Sequence, residues 1–213
     1  TAIVGPTGSG KTTIINLLMR FYDVSSGSIR IDGRDVRTIP EEELHSMFGV
    51  AMQHDFIVAD TIRENIRFGR DVTDDQIKRA ARIAQAAPFI EAYEEGYDYQ
   101  LDAKGANISG GQKQRLLIAR AVAGQPKILI LDDSSSALDY KTDAELRKAI
   151  SSELADTTTV IVAQRVSSVM SCDLILVIDE GRIIGAGDHD TLMQTCSVYS
   201  EISNSQMGGA ILE

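Results

Sequence analysis

The sequence predicts an α/β fold with a mostly parallel sheet, an antiparallel β portion and an inserted helical subdomain. Three observations carry this. Apolar stretches of strand length alternate with helix-period segments, the ordering that builds parallel sheets with helices on both faces. The middle of the chain, from about Asp55 to Gln125, shows helix periodicity alone. A glycine-rich turn joins the first strand candidate to the first helix candidate.

Ala2–Val4 is the first strand candidate, followed by a helical pattern with Ile14, Leu17, Leu18 and Phe21 at helix spacing. Gly27–Gly33 alternates like a hairpin arm, and Met47–Met52 reads as a strand. From Asp60 to Ala87 the period is helical, with Ile62, Ile66, Ile77, Ala81 and Ala84 pointing inward, and a further helix covers Gly111–Ala123. Lys127–Leu131, Thr157–Ala163 and Leu174–Ile178 are buried-strand candidates, the last two each preceded by a helix-like segment. Gly181-Arg182 supplies a tight hairpin turn, Thr191–Ile202 a closing helix, and Gln206–Glu213 a loose end. The chain thus divides into one lobe of residues 1–54 plus 126–213 and a helical subdomain of residues 55–125.

Its 213 residues suffice for a core plus a subdomain, and 43% apolar with 24% charged residues is a globular balance. A formal net charge of −10 with no long basic run excludes a nucleic-acid or anionic-lipid surface, so phosphate binding needs a local, preorganised site. Cys172 and Cys196 sit in no CxxC or histidine cluster, which argues against a disulfide framework or zinc site. No apolar run approaches the roughly 18 residues that cross a bilayer. The chain opens on Thr1 with a strand directly behind it, so it reads as a segment of a longer protein without a signal peptide.

Gly5-Pro6-Thr7-Gly8-Ser9-Gly10-Lys11-Thr12 satisfies G-x-x-x-x-G-K-[ST], with Thr13 following. Glycines let backbone N–H groups curl around phosphate oxygens, and the next helix presents its positive end. Lys11 reaches the β- and γ-phosphates, and the Thr12 hydroxyl ligates Mg²⁺. Asp132 closes the apolar strand Ile128–Leu131, the position of a metal-holding carboxylate; alone, it reads as a helix cap or loop residue. Ser109-Gly110-Gly111-Gln112 precedes the helical run Lys113–Ala121 and offers a second anion site at a helix N-terminus, although Ser109 alone reads as a cap.

With these three motifs in this order the sequence resembles the ATP-binding cassette family over nearly its whole length. The resemblance implies a RecA-like P-loop NTPase core with an inserted helical lobe, ATP and Mg²⁺ as cofactors, and head-to-tail dimers holding each ATP between one P-loop and the other chain's Ser109 motif. It implies that Gln53 is the Q-loop residue touching the metal or attacking water, and that Ser136-Ala137-Leu138-Asp139 is the D-loop. Asp60–Ile66 and Gly96-Tyr97-Asp98 are exporter-like. The implied partners are a second nucleotide-binding domain and transmembrane domains, with no direct membrane insertion by this segment, at the cytoplasmic face of the cell membrane.

The match departs from the family in one place especially. Asp133 stands where the family has a glutamate base; the shorter arm draws the carboxylate back by roughly 1.5 Å, and a displacement on the order of 1 Å can cost about 10²-fold in rate. Gln164 stands where the family has a histidine, and an amide carries no imidazolium charge. Together they imply a site that holds ATP without efficient hydrolysis, in a heterodimer where this chain's Ser109 motif, with Ile108 before it in place of leucine, completes a different partner's site. Asp102-Ala103-Lys104-Gly105 replaces a Gly-Glu-Arg-Gly-like loop that contacts the transmembrane coupling helices, and the adenine-stacking aromatic falls upstream of Thr1.

Competing readings are a self-sufficient homodimeric ATPase, with Asp133 an adequate base, and a regulatory nucleotide-binding module. Repair and chromosome ATPases place long coiled coils between the motifs, and no heptad run separates Lys11 from Ser109. His45, His54 and His189 read as non-catalytic, Tyr93, Tyr97 and Tyr99 as loop packing, and Asp74-Asp75 as a favourable helix start.

Overall fold

A computed structural model describes residues 1–52, 56–134, 136–163 and 165–209. In chain order its elements are β1 (Ala2–Val4), α1 (Lys11–Leu18), β2 (Arg30–Ile31), β3 (Arg34–Asp35), α2 (Glu41–Ser46), β4 (Phe48–Ala51), α3 (Ile62–Arg67), α4 (Asp74–Ile83), α5 (Ala87–Ile90), α6 (Gly110–Ala123), β5 (Ile128–Asp132), α7 (Tyr140–Glu153), β6 (Thr158–Val162), β7 (Ile175–Asp179), β8 (Arg182–Gly187), α8 (His189–Thr195) and α9 (Ser197–Gly209). Six strands, β1 and β4 to β8, form a mostly parallel sheet, and β2 with β3 an antiparallel pair. Among the described residues no helix is long and apolar enough to cross a membrane. The chain groups into two compact bodies, residues 1–46 with 160–213, and residues 47–159.

In the first body β1 is the central strand. Ala2 and Ile3 pair parallel with Ile161 and Val162 of β6, and Ala2 to Val4 pair parallel with Ile175 to Val177 of β7. Its two neighbours pair both of its edges, and Ala2, Ile3 and Val4 are all buried, which means both faces are covered and explains the unbroken apolar run. β7 turns into β8 antiparallel through Glu180 and Gly181, both in the left-handed region at φ 44° and 74°. Below the sheet, Val166, Val169, Leu192, Cys196 and the fully buried Tyr199 close the core.

Three expectations are corrected here. The first helix stops at Leu18, before Phe21: Arg20 takes φ 58°, Phe21 N–H donates to Asn16 O (2.8 Å) and Arg20 N–H to Leu17 O (3.1 Å). That is a Schellman ending, and it leaves Phe21 exposed although its spacing suits the helix. The closing segment is two helices rather than one, broken at Cys196, whose φ/ψ of −126°/101° is extended. Residues 206–209 continue α9, and the Gln206 side chain accepts from Val166 N–H (2.8 Å), so they are not a loose end. A single 3₁₀ turn, Val166–Ser168, is the helical element described between β6 and β7.

In the second body β4 and β5 pair parallel from Phe48↔Ile128 to Ala51↔Leu131. The five positions expected to point inward, Ile62, Ile66, Ile77, Ala81 and Ala84, are all at 0% exposure. The helical pattern from Asp60 onward breaks after α3, where Phe68 (φ 48°) and Gly69 (φ 72°) take left-handed backbone. Thr73 then restarts it with a capping box to Gln76, and Asp74 and Asp75 occupy the first turn of α4.

Candidate functional site

The glycine-rich turn runs from the end of β1 into α1. Gly8 and Gly10 have φ 82° and 103°, values that side-chain-bearing residues rarely adopt, and they turn the chain from β1 into α1. The helix begins with no side-chain cap and no acidic residue in its first turn. Its positive end is therefore directed at the loop, an arrangement that fits an anion. Lys11 Nζ donates to Gly5 O and Pro6 O, both at 2.8 Å, which holds the ammonium across the turn. Thr12 and Thr13 are exposed beside it.

Two further observations test whether the turn suits phosphate. Ser9 is 4% exposed, and its Oγ has no hydrogen-bond partner among the described residues, a buried polar atom that a ligand oxygen would satisfy. Gly5 is buried where any side chain would collide with the Ile178 carbonyl of β7 and come within 2.9 Å of Ser9 Oγ. Gly181 N–H donates to Ser9 O (3.0 Å), so the β7–β8 turn braces the loop from the same body. The residues present fit a nucleotide's phosphates.

In the second body Ser109 is the N-cap of α6. Its Oγ accepts from Gln112 N–H (3.2 Å), and Gln112 Oε1 accepts from Ser109 N–H (2.9 Å), a complete capping box. The bland reading of Ser109 as a cap is thus correct as far as it goes. Gly110 faces open space, and a Cβ on Gly111 would stand 3.2 Å from Ala137 O, so the segment Ser136–Asp139 passes against the first turn of α6. Arg115 locks that turn, donating to Gly111 O (3.2 Å) and Gln85 O (2.9 Å) with its guanidinium 4.8 Å from the Phe89 ring centroid. Burial pulls the Arg115 pKa down, opposed by Asp139. Asp139 caps α7 through Thr142 N–H (2.9 Å) and Thr142 Oγ1–H (2.8 Å), and those bonds hold its carboxyl below the usual range.

Asp132 is the last residue of β5 and is 8% exposed. Asp133 follows at φ 48°, and its carbonyl accepts from Ser136 N–H and Oγ–H at 3.3 and 2.9 Å. Aspartate tolerates that left-handed position better than most side chains. Gln53, His54 and Gln164 lie outside the described residues. His45 Nε2 meets Met19 O at 3.1 Å, His189 Nδ1 meets Tyr199 Oη at 2.9 Å, and Tyr93 stacks on Tyr99 at 3.9 Å, all packing contacts. The sequence reading assigned no role to Asn65 and Arg120, which are 1% and 5% exposed in the second body. The available signal was a polar residue placed inside each apolar stripe, next to Ile66 and within Leu116–Ala123.

The description "ABC transporter" matches residues 1–136. The chain is 43% identical over 210 residues to ATP-binding cassette sub-family B member 6 of Xenopus tropicalis, covering 98% of this chain and 25% of that protein. It is 41% identical over 206 residues to an ATP-dependent lipid A-core flippase of Desulfotalea psychrophila, covering 96% and 36%. A solved bacterial Atm1-family ABC exporter with ATP bound superposes with a TM-score of 0.92 at 38% identity, over 97% of this chain and 36% of that one. The chain therefore spans about a quarter to a third of the length of these relatives. It belongs to the ABC transporter family, as an ATP-binding domain of the exporter type.

Proposed function

We infer that this chain binds Mg·ATP and dimerises head to tail with a second, different nucleotide-binding domain to power export through transmembrane domains, at the cytoplasmic face of the membrane. The observation carrying the reading is the Gly5–Thr13 turn, with uncapped helix amides, Lys11 braced on two carbonyls and the buried unpartnered Ser9 Oγ. Mg²⁺ prefers oxygen ligands, and the Thr12 hydroxyl, the Asp132 carboxylate and the Gln53 carboxamide are the ligands assigned to it. When bound, Mg²⁺ neutralises charge on the phosphates; the protein's part is to cradle them with Gly5 to Thr13 and to offer a partner's ATP the Ser109–Gln112 turn. Residues 55–125 act as the lobe that carries this turn.

Asp133 and Gln164 make the chain's own site slow. Asp133 is the base that polarises water from a shortened arm, and Gln164 contacts the γ-phosphate without charge. A recess of about 270 Å³ lined by Val58, Asp60, Glu64, Phe68 and Gly69, with Phe56 exposed nearby, is the face offered to the transmembrane partner.

The test compares Mg·ATP binding and turnover of the native chain with Asp133→Glu/Gln164→His, at concentrations that permit dimerisation. The expected result is ATP binding with little turnover in the native chain, and hydrolysis restored by the double change. Glutamate fits φ 48° less readily than aspartate, so thermal unfolding of both proteins accompanies the assay. A native chain already as fast as the double variant would make it a self-sufficient homodimer.

A further inference from the structure

The second body contains a buried polar junction that neither phosphate site uses. Asn65 of α3 turns its carboxamide on the segment that leaves Gln53. Its Oδ1 accepts from Val58 N–H (2.9 Å), and its Nδ2 donates to Val58 O (2.9 Å) and Thr61 O (3.0 Å). A side chain thus does for residues 58–61 what a neighbouring strand would do. Arg120 of α6 completes the junction. Its Nε donates to Asn65 O (2.9 Å), one terminal nitrogen to Asn65 Oδ1 (3.2 Å) and the other to Phe56 O (3.0 Å), with the guanidinium 4.0 Å from the Phe68 ring centroid. Arg70 in turn donates to Ile66 O (3.2 Å) and to Arg120 O. The loop before Ser109 joins the same body, Lys104 N–H to Ile57 O (3.0 Å) and Leu101 N–H to Asp60 O (2.9 Å).

Buried guanidinium and carboxamide groups are costly unless satisfied, and nothing about packing α3 on α6 demands them; leucine would fill the space. Their directional bonds fix where residues 56–61 lie relative to α6, whose first turn begins with Ser109 roughly 16 Å away along the helix axis at 1.5 Å per residue. We propose that Asn65 and Arg120 are positioning residues that tie the chain leaving Gln53 to the Ser109 helix, so that the two move as one when nucleotide binds. This rests on the ATPase reading given above. Neither residue touches nucleotide. They act through the placement of residues 56–61 and of the Ser109 turn.

The decisive variant is Asn65→Asp, studied in the full transporter with its partner domain. Aspartate keeps both acceptors for Val58 N–H and Arg120 and strengthens the pair with Arg120, but it loses the donor to Val58 O and Thr61 O. The expected result is ATP affinity within about twofold of the parent, KM unmoved, and turnover lowered on the order of 10- to 100-fold, the scale of a misplacement near 1 Å. Arg120→Lys, which keeps the charge and loses the planar fork, is expected to show the same split. Unchanged turnover in both, or loss of ATP affinity in step with turnover and unfolding temperature, would overturn the proposal in favour of a plain packing role.

Hydrogen exchange supplies a readout independent of turnover. In the parent, Mg·ATP is expected to slow exchange in residues 56–61 and 107–112 together; in Asn65→Asp the first segment exchanges faster and no longer follows the second. Residues 56–61 that respond to ATP in the variant as in the parent would refute the link. A parent complex that binds but never hydrolyses ATP refutes the ATPase reading instead, and the exchange comparison still decides the link.

Discussion

Gly5→Ala puts the phosphate cradle itself under strain. The added methyl group would stand 3.1 Å from the Ile178 carbonyl carbon, nearer still to its oxygen, and 2.9 Å from Ser9 Oγ. Carbon and oxygen in contact rest at about 3.3–3.6 Å, and the Ile178 oxygen stands far inside that distance, so β1 and β7 must separate by about 1 Å or more at the point where the loop leaves the sheet. Overpacking of this kind costs about 1–3 kcal/mol. For a chain of this size each kcal/mol is worth about 2–4 °C, which places the drop in Tm between about 2 and 12 °C. The same shift moves Ser9 and the first amides of α1, and losing one charge-assisted hydrogen bond at about 1.5–3 kcal/mol weakens ATP binding on the order of tenfold or more. Gly33→Ala is the control. Gly33 sits at φ 77° in the turn between β2 and β3, and its Cβ would meet no described atom within 4 Å. It costs about 1–2 kcal/mol of left-handed strain and is expected to leave ATP affinity alone. Scanning fluorimetry with titration calorimetry reads both quantities. A Gly5→Ala chain that matches the parent in Tm and affinity, or a Gly33→Ala chain that loses affinity equally, refutes the argument.

Ser109 caps α6 and, in the function proposed above, also meets a partner's ATP, and substitution separates the two roles. Ser109→Ala loses the acceptor for Gln112 N–H and about 1 kcal/mol of stability, whereas Ser109→Asp keeps the cap but sets a negative charge where a partner's phosphate would dock. The aspartate variant is expected to unfold within about 1 °C of the parent, by the same per-kcal scale, and to abolish turnover in the assembled pair; retained turnover would leave Ser109 a cap alone. Tyr199 gives an alkaline signature. Burial pushes its phenol up to about 12, so the folded state favours the neutral form. Its contribution is present below the unfolded value near 10 and lost as pH rises towards 12. Melting curves from pH 9 to 12 are expected to fall more steeply for the parent than for Tyr199→Phe, and parallel curves would contradict the assignment.

The parts legible in the sequence were those where one local rule decides. β1 is buried on both faces and so reads as an unbroken apolar run; the Gly8 and Gly10 backbone angles need glycine; Ser109 and Gln112 sit at capping-box spacing. What escaped depended on partners distant in sequence or on unusual residues at ordinary jobs. Arg20 rather than glycine supplies the left-handed ending of α1, so no turn signal marks the stop before Phe21. Cys196 breaks the closing helix without a proline or glycine. Asn65 and Arg120 carry an ordinary helical period, and only the fold reveals that each completes the other's hydrogen bonding across 55 positions of chain.

That junction also governs how this domain tolerates recombination. A chimera that kept α3 of this chain and took α6 from a donor without an arginine at position 120 would leave the Asn65 carboxamide short of its partner in a dry interior. Crossovers placed before Phe56 and after Ala123 keep the bonded set intact, and the whole stretch can be exchanged as a block. Within it, single substitutions should be strongly non-additive, because each residue's worth depends on which partner it still meets. Shuffled libraries would therefore recover Asn65 and Arg120 as a linked pair.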